Sequence, residues 1–319
     1  MAVPIWLTWV LVAVVGYLVY KKSTSKNKSR LPPGPKPMPV LGNINDLPRP
    51  GKLEYRHWLE HKDVHGLISS VTVMGMTLVI VHDKKAAHQL LDQVAAKTSG
   101  RPTMVMANQL CGYEAIVVYQ SYTCTIRRCR KYLHRELAPR RRRCSSNMSR
   151  RSRSAASSTA AATVLKMAYG YTIEPDKPDM LVDLIDRMVT EFSLAAVPMA
   201  WAVDIIPALR YLPEGIPGVR FKETARRWKR SIHASGYIPY DFVRRQMASF
   251  ASRSCYVSKF MQQLTHESAD GKLSAEDEHA IIWTAASLYG AAADTTVITI
   301  TAFTAAMIMF PEVSTAVPN

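Results

Sequence analysis

The sequence predicts a mainly α protein with a small β-sheet region, preceded by one transmembrane helix. Three observations carry that prediction. Ala2 to Tyr20 is an uncharged apolar run, a single hairpin signal lies between Leu67 and Val81, and an apolar helical segment runs from about Ala275 to Phe310. Residues 1–20 are assigned as the transmembrane anchor and 21–43 as a basic and proline-rich linker. A globular domain, 44–319, follows, within which 139–158 is set apart as an Arg/Ser-rich segment without predicted order.

The anchor comes first. About twenty apolar residues at ~1.5 Å each cross a bilayer core of ~30 Å. Trp6, Trp9, Tyr17 and Tyr20 stand where amphipathic rings favour the interfaces, and Lys21, Lys22, Lys26, Lys28 and Arg30 follow at once. Positive charge stays on the cytoplasmic side, so a single pass is expected with the body in the cytosol. A cleaved signal peptide would carry its charge before the apolar run rather than after it.

Composition narrows the remaining classes. Five cysteines, none at metal-ligand spacing, suit a reducing compartment better than a disulfide scaffold. The net charge of +16 is local: Ile126 to Ser154 holds twelve Lys or Arg and one acid, Glu136, leaving +5 for the rest. The Arg-rich stretch could grip RNA or anionic lipid. It lacks interleaved aromatics to stack bases, which argues against a nucleic-acid partner.

Leu31 to Asn43 (LPPGPKPMPVLGN) is too rich in proline for helix or inner strand and reads as a stiff arm. A short helix is expected over Leu53 to His61. Strands are expected over Leu67 to Met74 and Thr77 to Val81, turning at Gly75-Met76. Asp83 is placed to cap KKAAHQLLDQ. Arg127 to Leu137 reads as a basic helix, and PRRRRCSSNMSRRSRSAASS at 139–158 has too little apolar surface to offset its ordering entropy. Helical signal returns over Thr159 to Tyr169, Leu181 to Phe192 and Phe221 to Ile232, the last preceded by the proline-punctuated DIIPALRYLPEGIPG at 204–218. Ser274 with Asp277 three residues on forms a capping box for the final helix. That helix is apolar nearly all round and is expected to be buried. Asp294 and six threonines argue against its being a second membrane span. A carboxylate with hydroxyls beside it in such a helix needs partners or a purpose.

Five features in this order resemble the N-terminal part of a microsomal cytochrome P-450, a haem-thiolate monooxygenase, in the branch common in fungal secondary metabolism. They are the anchor with LPPGPKPMPVLGN, the early hairpin, the basic helix of Arg127, Arg128 and Arg130, the DIIPALRYLPEGIPG stretch before a basic helix, and the AAADTT core of the last helix. The resemblance covers residues 1–137 and 159–313. It implies a haem cofactor, an NADPH-dependent reductase partner and a lipophilic small-molecule substrate.

The resemblance also assigns residues. Asp294 and Thr295 match the acid–alcohol pair that delivers protons during dioxygen activation, a relay needing a hydroxyl within reach and a carboxylate behind it. Ala291 and Ala292 match the small residues that leave room for dioxygen, although the family usually has Gly at the second position. Thr295 could equally bond a backbone carbonyl one turn back. Arg130 matches the arginine that pairs with a haem propionate, while Ile126 stands where the family usually has Trp. Ile205, Ile206 and Leu209 match the roof of the substrate channel. The basic helix after them suits a membrane interface or a solvated face.

Two departures accompany the resemblance. The axial cysteine of the family lies in a Phe-rich, Gly-containing loop after the acid–alcohol helix. Cys111, Cys124, Cys129, Cys144 and Cys255 all precede that helix and none has such flanks. No metal ligand is therefore assigned, and thiolate ligation of haem is not expected from these residues alone. The only Glu-x-x-Arg, Glu223 to Arg226, also precedes the helix. Beside the monooxygenase reading stand a truncated, non-catalytic membrane protein and a binder of anionic polymers. The switch to Arg/Ser composition at 139–158, and back again, is what a wrong reading frame or misplaced splice junction would produce.

Overall fold

The computed structural model describes residues 10, 14, 16–17, 31–38, 41–48, 53–137, 162–174, 177–198, 200–215, 218–249, 253–268 and 270–310. Of these, the side chains at 137, 293, 294, 296 and 297 are not described. The expected anchor therefore lies outside the described residues except at four positions, as does the Arg/Ser segment 139–158. Among the described residues no helix is long and apolar enough to cross a membrane.

The chain divides into two compact units, residues 1–99 and 100–319. In the first, helix α1 (Glu54–His65) packs on a two-stranded antiparallel sheet of β1 (Ile68–Val73) and β2 (Met76–Val81). The register pairs Ile68 with Val81 and Val73 with Met76. The turn is Met74-Gly75, with φ of 47° and 88°, one residue earlier than expected, because two left-handed residues match the twist of the strands they join. Asp83 caps α2 (Lys84–His88) as expected, its carboxylate accepting from Ala86 N at 2.7 Å.

The proline-rich arm is not free. Ser70 N and Oγ donate to the carbonyls of Pro33 and Pro32, at 2.8 and 2.7 Å. Asn43, only 3 % exposed, satisfies its whole amide: Oδ1 accepts from Thr72 N, and Nδ2 donates to Pro35 O and Asp46 Oδ2. A proline-rich strand lacks donors of its own, so β1 and Asn43 supply them. The approach is close enough to require glycine twice. A Cβ at Gly34 would lie 1.9 Å from Ser70 O, and one at Gly42 (φ +69°) would lie 2.0 Å from Thr72 O.

The second unit is helical: α3 (Cys124–Leu137), α4 (162–169), α5 (Met180–Ala195), α6 (Phe221–Ala248), α7 (Tyr256–Glu267) and α8 (Ala275–Met309). The N-terminal half of α8 is its axis, with α3, α5, α6 and α7 packed around it. Ile281, Ile282, Trp283 and Tyr289 are buried there, and Tyr256 OH donates to Thr284 Oγ1 at 2.7 Å. Helix α6 outruns its expected end at Ile232 and continues through Pro239. The lost N–H of Pro239 is offset because Gly236 lets α6 lie against Ile282 and Trp283, and Pro239, Tyr240 and Val243 are buried with it.

Helix α8 corrects the expectation of burial throughout. Its first half is buried, but Ile298, Ile300, Phe303, Ile308 and Met309 are between 42 and 71 % exposed. Among the described residues this half is mostly exposed.

Candidate functional site

The middle of α8 is where the buried half gives way to the exposed half. Ala292 is half-buried against the core, while Ala291 and Thr295 are exposed. Thr295 Oγ1 donates to Ala291 O at 2.7 Å, the back-bond that a threonine makes to its own helix. Thr299 and Thr304 repeat the pattern. A hydroxyl bonded in this way keeps its lone pairs free to accept from a ligand. The side chain of Asp294 lies outside the described residues, so the expected pair is seen at one member only.

Helix α3 is gripped by the first turn of α8. Arg128 meets Glu276 at 2.7 Å and Asp277 at 3.3 Å, and Tyr132 OH donates to Asp277 Oδ1 at 2.7 Å. Ser274 Oγ accepts from Asp277 N, the N-cap half of the expected box, while Asp277 Oδ2 accepts from the Ser274 hydroxyl at 2.7 Å rather than from its backbone N–H. Burial pushes the Asp277 carboxyl up, but the hydrogen bonds from Tyr132 and Ser274 and the charges of Arg128 and Lys131 outweigh it and hold it below its ordinary value. Glu278 grips a different helix, accepting from Tyr240 OH of α6 at 2.8 Å. Arg130, two residues past Arg128, turns outward and is exposed. The α3 contact lies eighteen residues, roughly 27 Å of helix axis, from Thr295. Arg130 and Thr295 thus sit on packed helices without touching.

The third part was not foreseen. The segment Met104 to Tyr119, which carried no helical period, folds into short turns whose residues Val105 to Asn108, Cys111 and Tyr113 are buried. It is tied to three elements. Asp204 Oδ1 accepts from Met106 N at 2.8 Å, Ser287 Oγ of α8 accepts from Val117 N at 3.1 Å, and Tyr113 packs edge-on to Phe192 of α5. Burial raises the Asp204 carboxyl, opposed by the backbone donors of Met106 and Val105. Asp204 opens the stretch that carries Ile205, Ile206 and Leu209. Leu209 packs on the core, Ile205 is half-buried and Ile206 is 54 % exposed. The only sequence signal for this tie was an acid isolated among apolar residues. In α6, Trp228 and Ile232 are buried while Arg226, Arg227, Lys229 and Arg230 face outward.

The distal residues fit a flat apolar group: two alanines, a hydroxyl with a free lone pair, and bare apolar surface beyond them. The described cysteines do not fit its axial position. Cys111, Cys129 and Cys255 are at most 2 % exposed, and burial pushes the Cys111 thiol up to about 12. Cys255 caps α7, and Cys124, though exposed, opens α3. Among the described residues no three His, Cys, Asp or Glu are placed to hold a metal ion.

The comparisons with known proteins agree with this architecture. The sequence profile of the cytochrome P-450 family matches residues 32–319. A multifunctional cytochrome P-450 monooxygenase of Aspergillus fumigatus is 42 % identical over 95 % of this chain and 60 % of its own length. A cytochrome P-450 monooxygenase of Gibberella zeae is 41 % identical over 95 % and 61 %. One from Aspergillus oryzae is 33 % identical over 84 % and 52 %. The chain thus spans about 60 % of the length of its two more similar relatives. It belongs to the cytochrome P-450 family, whose members are monooxygenases that use haem.

Proposed function

We propose that this chain supplies the distal half of a membrane-held haem monooxygenase that inserts one oxygen atom of dioxygen into a lipophilic small molecule. The carrying observation is the division of α8: one half is locked in a core, and the other presents Ala291, Thr295 and an exposed apolar surface. Haem, when bound, supplies the dioxygen chemistry. Ala291 and Ala292 would leave space beside it, Thr295 with Asp294 would hold and pass a proton at the hydroxyl oxygen, and the exposed Arg130 would be the residue to hold a propionate. Ile205, Ile206 and Leu209 roof the substrate channel. Electrons come from an NADPH-dependent reductase. Residues 2–20 anchor the chain in the endoplasmic reticulum membrane, a reading supported by the uncharged run and the five cations that follow it.

The axial thiolate comes from none of the four described cysteines. The 319 residues alone are expected to give no thiolate-type Soret band with carbon monoxide. A chimera completed with the remaining residues of the Aspergillus fumigatus relative is expected to give one. In that chimera Thr295→Ala should raise peroxide released per NADPH consumed. A folded chimera without the band, or with the same peroxide yield after the substitution, would sink the proposal.

A further inference from the structure

Helix α1 carries His57, His61 and His65 at i, i+4 and i+8, which places all three on one face. Their rings form a continuous row, with centroids 5.6 Å apart from His57 to His61 and 5.1 Å from His61 to His65. His57 is fixed by donating Nε2–H to Asp46 O at 2.8 Å. His61, the middle ring, is 8 % exposed, and its Nδ1 is buried without a partner among the described residues. His82, just past β2, likewise buries an unpartnered Nε2, and Ser69 of β1 an unpartnered hydroxyl. The row is not a metal site, since no three donors converge. What it does respond to is protons.

We propose that the histidine face of α1 is a proton-operated catch, holding α1 on the hairpin while buried His61 is neutral and loosening it in mild acid. A charged His61 would sit buried between two further imidazoles, with Nδ1 unpartnered among the described residues. The groups facing it are His65 and His57 from its own helix, Asp46 from the turn before it, and His82 from the end of β2; β1 contributes no charge. Burial lowers His61 most, followed by His65 and His57; His82 lowers it further and only Asp46 opposes. A released His61 returns to its ordinary value of 6.5 and binds a proton more readily than a docked one. Docking is therefore favoured above that value and weakens as pH falls below it.

The test is amide hydrogen exchange of residues 54–65 in the full chain in detergent, at about pH 7.5 and about pH 5.5 after correction for intrinsic rates. Protection of α1 should fall several-fold at the lower pH, up to the ceiling of about ten-fold that one histidine with a free value of 6.5 can give. His61→Phe fills the site with an uncharged ring and should abolish the fall. Should that variant misfold, the double variant His57→Gln with His65→Gln removes the repulsion and should shrink it. Equal protection at both pH values in the native chain overturns the proposal, as does an undiminished fall in a folded variant.

Discussion

Asp277 can be removed in a way that measures how firmly the helix of Arg130 is registered against the helix of Thr295. Its Oδ1 serves both Tyr132 OH and Arg128 Nη1, and its Oδ2 accepts from Ser274 Oγ. The Asp277 and Arg128 side chains are 25 and 33 % exposed, so neither the full value of a buried pair nor the near-zero value of a surface one applies. A hydrogen bond to a charged group contributes about 1.5–3 kcal/mol when shielded, and partial exposure brings the Tyr132 contact to about 1 kcal/mol. Adding the Arg128 pair and part of the cap, Asp277→Ala should cost about 2–3 kcal/mol. The coupling in a cycle of Asp277→Ala with Tyr132→Phe should be about 1 kcal/mol. Urea unfolding followed by the fluorescence of Trp201, Trp228 and Trp283 reads the second unit. Because Asp277 is held below its ordinary value of 3.8, its contribution is present above that pH and disappears as pH falls through the folded value. A coupling under about 0.3 kcal/mol, or an advantage over Asn that persists in strong acid, would show that the contact registers nothing.

Three further outcomes follow from contacts described above. Thr295→Ala should leave stability within about 0.5 kcal/mol, because the exposed hydroxyl bonds only its own helix; a larger loss in urea unfolding would assign Thr295 a structural part instead. Gly34→Ala should cost about 3 kcal/mol or more, since the new Cβ meets the Ser70 carbonyl, and limited proteolysis of residues 31–99 would reveal it. Asp204→Asn should be neutral or slightly stabilising at neutral pH, because burial already disfavours the charge. Asp204→Ala leaves Met106 N without its acceptor and should cost about 1–2 kcal/mol in the same unfolding assay.

Much of the first unit and the ends of the second were legible from residue types. The hairpin, the Asp83 cap and the Ser274 cap each rest on a few neighbouring residues, and each forms within a residue of its expected place. What could not be read depended on distant partners. Nothing local in Met104 to Tyr119 announces that Asp204, almost a hundred residues on, will hold it. The helix expected over Phe221 to Ile232 runs on through Pro239 to 28 residues because packing against α8 outweighs one missing donor. Helix α7, with Cys255 as its cap, went unread because cysteine is not a usual capping residue. Of the expected site, periodicity placed only the helices, and the family resemblance assigned the positions on α8 and α3, whereas the outward aim of Arg130 depends on which neighbours α8 offers to α3.

The two-sided character of α8 has a consequence for biosynthesis. Among the described residues the buried partners of its first half, from Met104 through Phe260, precede it in the chain. A ribosome that has released residues up to Tyr289 has therefore delivered these contacts, and this part can begin to close during translation. The stretch from Ile298 to Phe310 then emerges as an oily rod with no place in that finished core. It is the segment on which a holding chaperone would act, and the point where synthesis passes from a self-sufficient fold to one that must wait.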